Sequence, residues 1–361
     1  MSRTFTESPL DSILQQDIED IAQHTPLITK LTGTTVFITG ATGLIGSQVV
    51  KTLACCNRVM GSNIHIAALV RSEDKARSLF GDLADSDELE LVIGDIMTPV
   101  NYDKPIDYFI HGASATSSKY FVEHPVETIM MAVEGTRNML ELARSKQVKG
   151  FLYLSSLEVY GVPSGDKKAL SETDSGYINP LLPRSSYSEG KRMVECLCAS
   201  YHAEYGVPVK IARLSQTFGA GVTYDDGRVF AEFARSAIEK KDIVLHTAGN
   251  TVRTYCYTKD AVSALLYILL KGSCGAAYNV TNQGTRCSIK EMAELVCKTF
   301  PESGISVRFD IPEDASSFGY NPEMIIELDT TALRGLGWEP SVSLQSMFER
   351  MVASLKERYH K

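Results

Sequence analysis

The chain lacks any apolar stretch long enough to cross a bilayer. Its longest apolar run, Ala264–Leu270, falls far short of the roughly 20 residues a spanning helix needs. It also lacks positive charge to spare: 36 Lys and Arg against 44 Asp and Glu leave a net charge of −8, so no nucleic-acid partner is expected. Its eight cysteines make no Cys-x-x-Cys pair and have no His at zinc spacing, and the histidines do not cluster, so no metal is expected. Most of the cysteines fall in apolar runs and read as reduced core residues of a cytoplasmic protein. Residues 1–30 have no signal-peptide apolar core. They do carry Leu10, Ile13, Leu14, Ile18 and Ile21 at helical spacing, which predicts an amphipathic N-terminal helix packed on the main body.

What is present is a regular alternation. Short apolar runs at Thr35–Thr39, Ile64–Val70, Leu89–Ile93, Tyr108–His111, Phe151–Ser155 and Val209–Leu214 read as strands. Between them, helices are predicted from Leu44 to Ala54, from Val126 to Lys146 and from Ser186 to Tyr205. Strands alternating with helices imply parallel βαβ units, hence an α/β, Rossmann-like doubly wound sheet. After about residue 215 the pattern loosens, with helices expected at Val229–Lys240, Thr258–Leu270 and Ser288–Thr299. The expected organisation is an N-terminal extension (1–30), a dinucleotide-binding domain (31–215) and a smaller substrate lobe (216–361). Some segments of that lobe return to the first domain. The lobe is expected to cover the carboxyl ends of the strands, where open α/β sheets bind ligands.

Thr39-Gly40-Ala41-Thr42-Gly43-Leu44-Ile45-Gly46 is a G-x-x-G-x-x-G turn between the first strand and its helix. Glycines let a backbone turn tightly and approach a pyrophosphate, and a helix N-terminus favours its charge. The second strand ends in Val70-Arg71-Ser72, with no acid to bind ribose hydroxyls. Arg71 suits a 2′-phosphate or an adenine face, which leaves NAD and NADP both open. Asp95, beside Ile96 after the third strand, is placed either to contact adenine or to shape a turn.

Tyr187 and Lys191 stand four apart at the start of a predicted helix and so share a face. A phenol titrates near ~10, and an adjacent cation lowers it, so the pair can move a proton on and off an alcohol. Ser156 ends the fifth strand beside that helix.

These landmarks, with His111-Gly112-Ala113-Ser114, Ser155–Gly161, Arg213–Gly219 and Arg253–Asp260, resemble the extended short-chain dehydrogenase/reductase family. The stretch Asn179-Pro180-x-x-Pro183-Arg184-x-x-Tyr187-x-Glu189-Gly190-Lys191-Arg192 is most similar to UDP-glucuronate decarboxylases. So are Asp226–Val229 and Arg253–Tyr257. The resemblance implies a catalytic set of Ser156, Glu158, Tyr187 and Lys191. Ser156 would hold the reacting hydroxyl, Tyr187 act as acid/base, Lys191 tune it, and Glu158 handle a proton. It implies a bound NAD or NADP along Gly40, Thr42–Gly46, Arg71, Asp95, Ile96, His111–Ser114, Tyr187 and Lys191, with Lys191 on the nicotinamide ribose. Tyr120, Arg184, Gln216, Arg228 and Arg253 would meet a nucleotide sugar. Glu158 also fits a structural acid paired with an Arg, and Arg184 a surface residue. Leu157 stands where 4,6-dehydratases carry an Asp and disfavours dehydration. The implied reaction is C4 oxidation followed by decarboxylation. A 4-epimerase, an NADPH-dependent 4-keto-sugar reductase and a non-catalytic nucleotide-binding protein are the alternatives. The two long helices around Val126–Lys146 and Ser186–Tyr205 imply, by analogy, a homodimer.

Overall fold

Residues 6–163, 169–311 and 324–359 are described by the computed structural model of the protein. The chain opens with α1 (Ser12–His24) and then builds the first half of a sheet: β1 (Thr35–Thr39), α2 (Leu44–Met60), β2 (His65–Val70), α3 (Glu73–Phe80), β3 (Leu89–Ile93) and β4 (Tyr108–His111). Next come α4 (Ser118–Glu123), α5 (Pro125–Met130), α6 (Thr136–Ser145), β5 (Gly150–Ser156), α7 (Ser185–Tyr205) and β6 (Val209–Leu214). The remainder is β7 (Gln216–Phe218), α8 (Val229–Glu239), β8 (Ile243–Leu245), β9 (Val252–Tyr257), α9 (Thr258–Lys271), β10 (Ala277–Val280), β11 (Asn282–Ser288), α10 (Ile289–Thr299), β12 (Val307–Phe309), β13 (Ile325–Ile326), α11 (Thr331–Gly335) and α12 (Leu344–Tyr359).

The main sheet has seven strands in the order β10-β6-β5-β4-β1-β2-β3, every pair parallel. Its inner strands read as unbroken apolar runs because both faces are covered: Val36, Phe37 and Ile38 are all fully buried, with Val36 and Ile38 in one core layer and Phe37 in the other. The register sets Thr39 opposite His111, His111 opposite Tyr153 and Ser156 opposite Leu214, so these residues line up at the carboxyl edge. The order of the strands reverses between β1 and β4, and such a switch point is where ligands bind. β10 is supplied by the last third of the chain, and α9 packs on β5 and β6. The smaller sheet has β9 at its centre, flanked by β11, β13 and β7, with the β8–β12 pair separate.

Several predicted elements shift in detail. The long helix expected from Val126 to Lys146 is two α-helical pieces, α5 and α6, joined by a π turn at Met131–Gly135. Close packing accompanies this turn. A side chain at Gly135 would lie 2.6 Å from Ile96, and one at Gly190 of α7 would lie 3.3 Å from Ala132. The helix after the glycine turn runs on to Met60, stopped by Gly61 in the left-handed region at φ +66. Of the N-terminal apolar stripe, Leu14, Ile18 and Ile21 are buried, but Leu10 is 79% exposed because it precedes the helix.

Helix α1 is fastened by polar contacts as well as by its apolar face. Asp17, 2% exposed, accepts from Tyr257 Oη at 2.6 Å and from Arg350 at 2.7 Å, while Lys259 reaches Asp20 at 2.7 Å. Burial pushes the Asp17 carboxyl up to about 6, opposed by Tyr257, Arg350 and Lys259. Ser354 of α12 donates to Asp11, the N-cap of α1, at 2.6 Å. Glu7, Glu19 and Cys55 approach one another closely enough to share an ion, and Arg58 bonds to all three.

Candidate active site

The glycine turn is shaped first by its own packing. Gly40 has φ +70, and a side chain there would strike Gly112 and Ala113 backbone at 2.6–2.7 Å. One on Gly46 would lie 2.2 Å from Gly40 O. Two of the three glycines are therefore needed for β1, α2 and the β4 loop to meet. Gly43 is different: it is exposed and is the N-cap of α2, and no side chain among the described residues bonds the helix's first N–H groups. Those free donors at the head of a 17-residue helix fit a pyrophosphate. Thr42, Leu44 and Ile45 are half-buried around them.

His111 closes the same region from below. It is fully buried, with Nδ1 2.6 Å from Thr39 Oγ1 and Nε2 3.0 Å from Thr136 Oγ1. Burial, helped by the charge of Lys191, pushes it down to about 3, so it is neutral and acts as a strut between β1 and α6. Thr39 Oγ1 also accepts from Ala113 N at 3.2 Å. Gly112, Ala113 and Ser114 follow as a half-buried loop, with Ser114 Oγ turned to Ala115 O at 3.1 Å. Arg71 is exposed at the end of β2. Asp95 accepts from Met97 N at 3.0 Å in a turn, and Ile96 is buried.

At the carboxyl end of β5, the Ser156 hydroxyl lies beside that of Tyr187 and accepts from Glu158 N at 3.2 Å. The Tyr187 ring stacks on Phe121, with centroids 4.3 Å apart and planes 11° from parallel. Lys191 is buried, donates to Leu154 O at 2.8 Å, and sits 4.7 Å from the Tyr153 ring centre and 5.7 Å from that of Tyr187. The expected lowering of the Tyr187 pKa is not what this arrangement produces. Burial and the charge of Glu158 push the phenol up to about 12, against a Ser156 hydrogen bond and Arg184. Burial likewise pushes Lys191 down to about 8, opposed by Glu195. The correction is physical: desolvation in a dry site outweighs a cation that points at a backbone carbonyl.

Glu158 and Arg184 are brought together, with two bonds of 2.9 and 2.7 Å, and Ser188 adds a third to the same carboxylate at 3.0 Å. Leu157 is 5% exposed and belongs to an apolar cluster with Val159, Leu170, Ile326 and Leu328. The other proposed sugar-nucleotide contacts are more scattered. Tyr120 packs on His124 at 4.7 Å. Gln216 pairs in register with Tyr255, and its Oε1 is buried without a hydrogen-bond partner among the described residues. Arg253 reaches only the Met324 sulfur, at 3.8 Å, among the described residues. Arg228 is held by Asp226 at 2.6 Å and lies over Phe230.

Sequence reasoning missed Phe121, Ser188 and Glu195. Ser188 is four residues from Arg184, and Glu195 four from Lys191, so helical spacing was the available signal. Glu195 takes Ser155 Oγ at 2.5 Å and the Arg213 fork at 2.7 Å, tying α7 to β5 and β6. Phe121 offered no signal, since it is far from Tyr187 in sequence.

Residues 36–281 match the NAD dependent epimerase/dehydratase family. The chain is 31% identical over 334 residues to UDP-glucuronic acid decarboxylase 2 of Arabidopsis thaliana, covering 92% of this chain and 71% of that protein. It is 31% identical over 313 residues to that plant's UDP-glucuronic acid decarboxylase 6, covering 86% and 85%. Among solved structures, the UDP-glucuronic acid 4-epimerase of Bacillus cereus in complex with NAD superposes with a TM-score of 0.71 at 22% identity. That match covers 90% of this chain and 100% of the other.

Proposed function

The chain belongs to the NAD dependent epimerase/dehydratase family, and we infer that it is an NAD(P)-dependent enzyme that oxidises a nucleotide-linked uronate at C4 and releases its carboxylate as carbon dioxide. The observation that carries the reading is the meeting of the Ser156 and Tyr187 hydroxyls at the carboxyl edge of β5, with Lys191 buried 5.7 Å from the Tyr187 ring centre. Ser156 holds the C4 hydroxyl and Tyr187 takes its proton, then returns it at the end. The Gly40–Gly46 turn and Lys191 would hold NAD(P), which would supply a reversible hydride acceptor for C4. Once C4 is a ketone, the neighbouring carboxylate is that of a β-keto acid, and the carbonyl accepts the electrons left by departing carbon dioxide. Arg71 and the missing acid after β2 suit a 2′-phosphate, so the cofactor is given as NAD(P).

The burial of Leu157 in an apolar cluster supports decarboxylation over 4,6-dehydration, because a leaving hydroxyl needs a proton donor there and carbon dioxide does not. Epimerisation uses the same C4 oxidation and differs only in how the hydride returns. Incubation with UDP-glucuronate and mass spectrometry separates the outcomes. Loss of carbon dioxide supports the reading, and a product of unchanged mass or no product contradicts it.

No helix among the described residues is long and apolar enough to cross a membrane. Reduced, mostly buried cysteines fit a cytoplasmic setting. A homodimer is supported by apolar side chains left in solvent on the α4–α5 and α7 surfaces: Val122, Val126, Ile129 and Met193 are 53, 65, 40 and 56% exposed. Val126→Asp is expected to yield a monomer in light scattering, where the unmodified chain gives a dimer.

A further inference from the structure

Glu158 and Arg184 carry the charges that would suit a proton-handling acid and a clamp for the sugar carboxylate, yet each already holds the other. Both terminal nitrogens of the guanidinium donate to the carboxylate, at 2.9 and 2.7 Å, and Ser188 Oγ donates to it at 3.0 Å. This fork joins the 3-10 turn after β5 to the first turns of α7, segments 26 residues apart in sequence. A second bond ties the same part of α7 to α4: Ser186 Oγ donates to Phe121 O at 3.2 Å. Phe121 is the ring on which Tyr187 stacks, and the Arg184 guanidinium lies 5.1 Å from its centre. On the other side, Glu158 N donates to Ser156 Oγ, the hydroxyl that lies beside that of Tyr187. Glu158 therefore supports Tyr187 twice. Its backbone steadies Ser156, and its side chain steadies the turn from which the phenol projects.

We propose that Glu158 and Arg184 form a positioning latch for Tyr187, and that neither acts as the C5 proton carrier or as the grip on the sugar carboxylate. The proposal rests on the C4 oxidation inferred above and places the work of this pair at that step. A bidentate Arg–carboxylate fork fixes both distance and plane, which a Lys or an amide cannot reproduce. A displacement of about 1 Å at the reacting group is enough to cost on the order of 100-fold in rate.

The test uses the NAD(P)-loaded enzyme, its Glu158→Gln and Arg184→Lys variants, and the double variant. Hydride transfer from UDP-glucuronate is followed in single turnovers by reduced-nicotinamide absorbance, and deuterium uptake at C5 is measured in heavy water. Arg184→Lys keeps the positive charge but loses the fork. The latch predicts that each single variant slows hydride transfer about 100-fold and that the double variant is no slower than either. KM changes little, and the rate at which C5 takes up deuterium once hydride has left C4 is unaltered. Normal hydride transfer with that C5 step slowed in Glu158→Gln overturns the proposal, as do single effects that multiply. Crystal structures of the variants give a readout free of turnover: the Tyr187 ring leaves its stack on Phe121, and an unmoved ring overturns the latch. If the unmodified enzyme takes no hydride from any sugar nucleotide, the parent reading fails, while the ring position still decides the latch.

Discussion

Replacing Tyr187 with Phe is expected to lower turnover about 10³-fold, within the range that positioned acid/base groups supply. Cofactor affinity and folding are expected to stay nearly as they were. The ring keeps its stack on Phe121, and Lys191 keeps its bond to Leu154 O, since neither contact uses the phenol oxygen. What disappears is the hydroxyl that lies beside Ser156 at the edge of β5. The chain alone leaves that phenol near 12, so only about 10⁻⁵ of it is ionised at neutral pH. Lys191, lowered to about 8 by burial, is still largely charged at neutral pH. Steady-state kinetics together with thermal denaturation check the prediction. Turnover within threefold of the unmodified enzyme contradicts it.

His111 is expected to make the fold sensitive to acid. In the folded chain it is held near 3 by burial, against about 6.5 when unfolded, so between those values the unfolded state binds a proton that the folded state does not. Stability from this group is thus fully present above pH 6.5 and falls as the pH drops toward 3. The slope is about 1.4 kcal/mol per pH unit, reaching on the order of 5 kcal/mol in all. Urea denaturation of the unmodified chain and of His111→Gln checks this. Between pH 7 and pH 5 the unmodified chain is expected to lose about 2 kcal/mol more than the variant. Parallel pH profiles would show that His111 does not titrate this way.

The glycine turn, the succession of the first six strands of the main sheet along the chain and the placing of Tyr187 and Lys191 on one helix were legible in the sequence. The period of the apolar residues reports local structure, and Tyr187 and Lys191 are neighbours on one helix. Tertiary encounters were not legible. Nothing local says that Glu158 meets Arg184, that Phe121 lies against Tyr187, or that the ring of Tyr153 lies under Lys191. For the same reason the electrostatics came out reversed. A Tyr and a Lys four apart suggest a lowered phenol, but the pKa is set by burial, which depends on segments that only the fold brings together. The π turn at Met131–Gly135 is another such case, since the close packing around it involves Ile96 and α7.

The central claim is that hydride leaves and returns to C4 at the Ser156–Tyr187 edge. Incubating the enzyme with UDP-glucuronate deuterated at C4, and weighing the product, tests it directly. The expected product is a pentose nucleotide that has lost carbon dioxide, kept its deuterium, and formed more slowly than from unlabelled substrate. Carbon dioxide loss at an unchanged rate with the label washed out, or no change in the sugar at all, would contradict it.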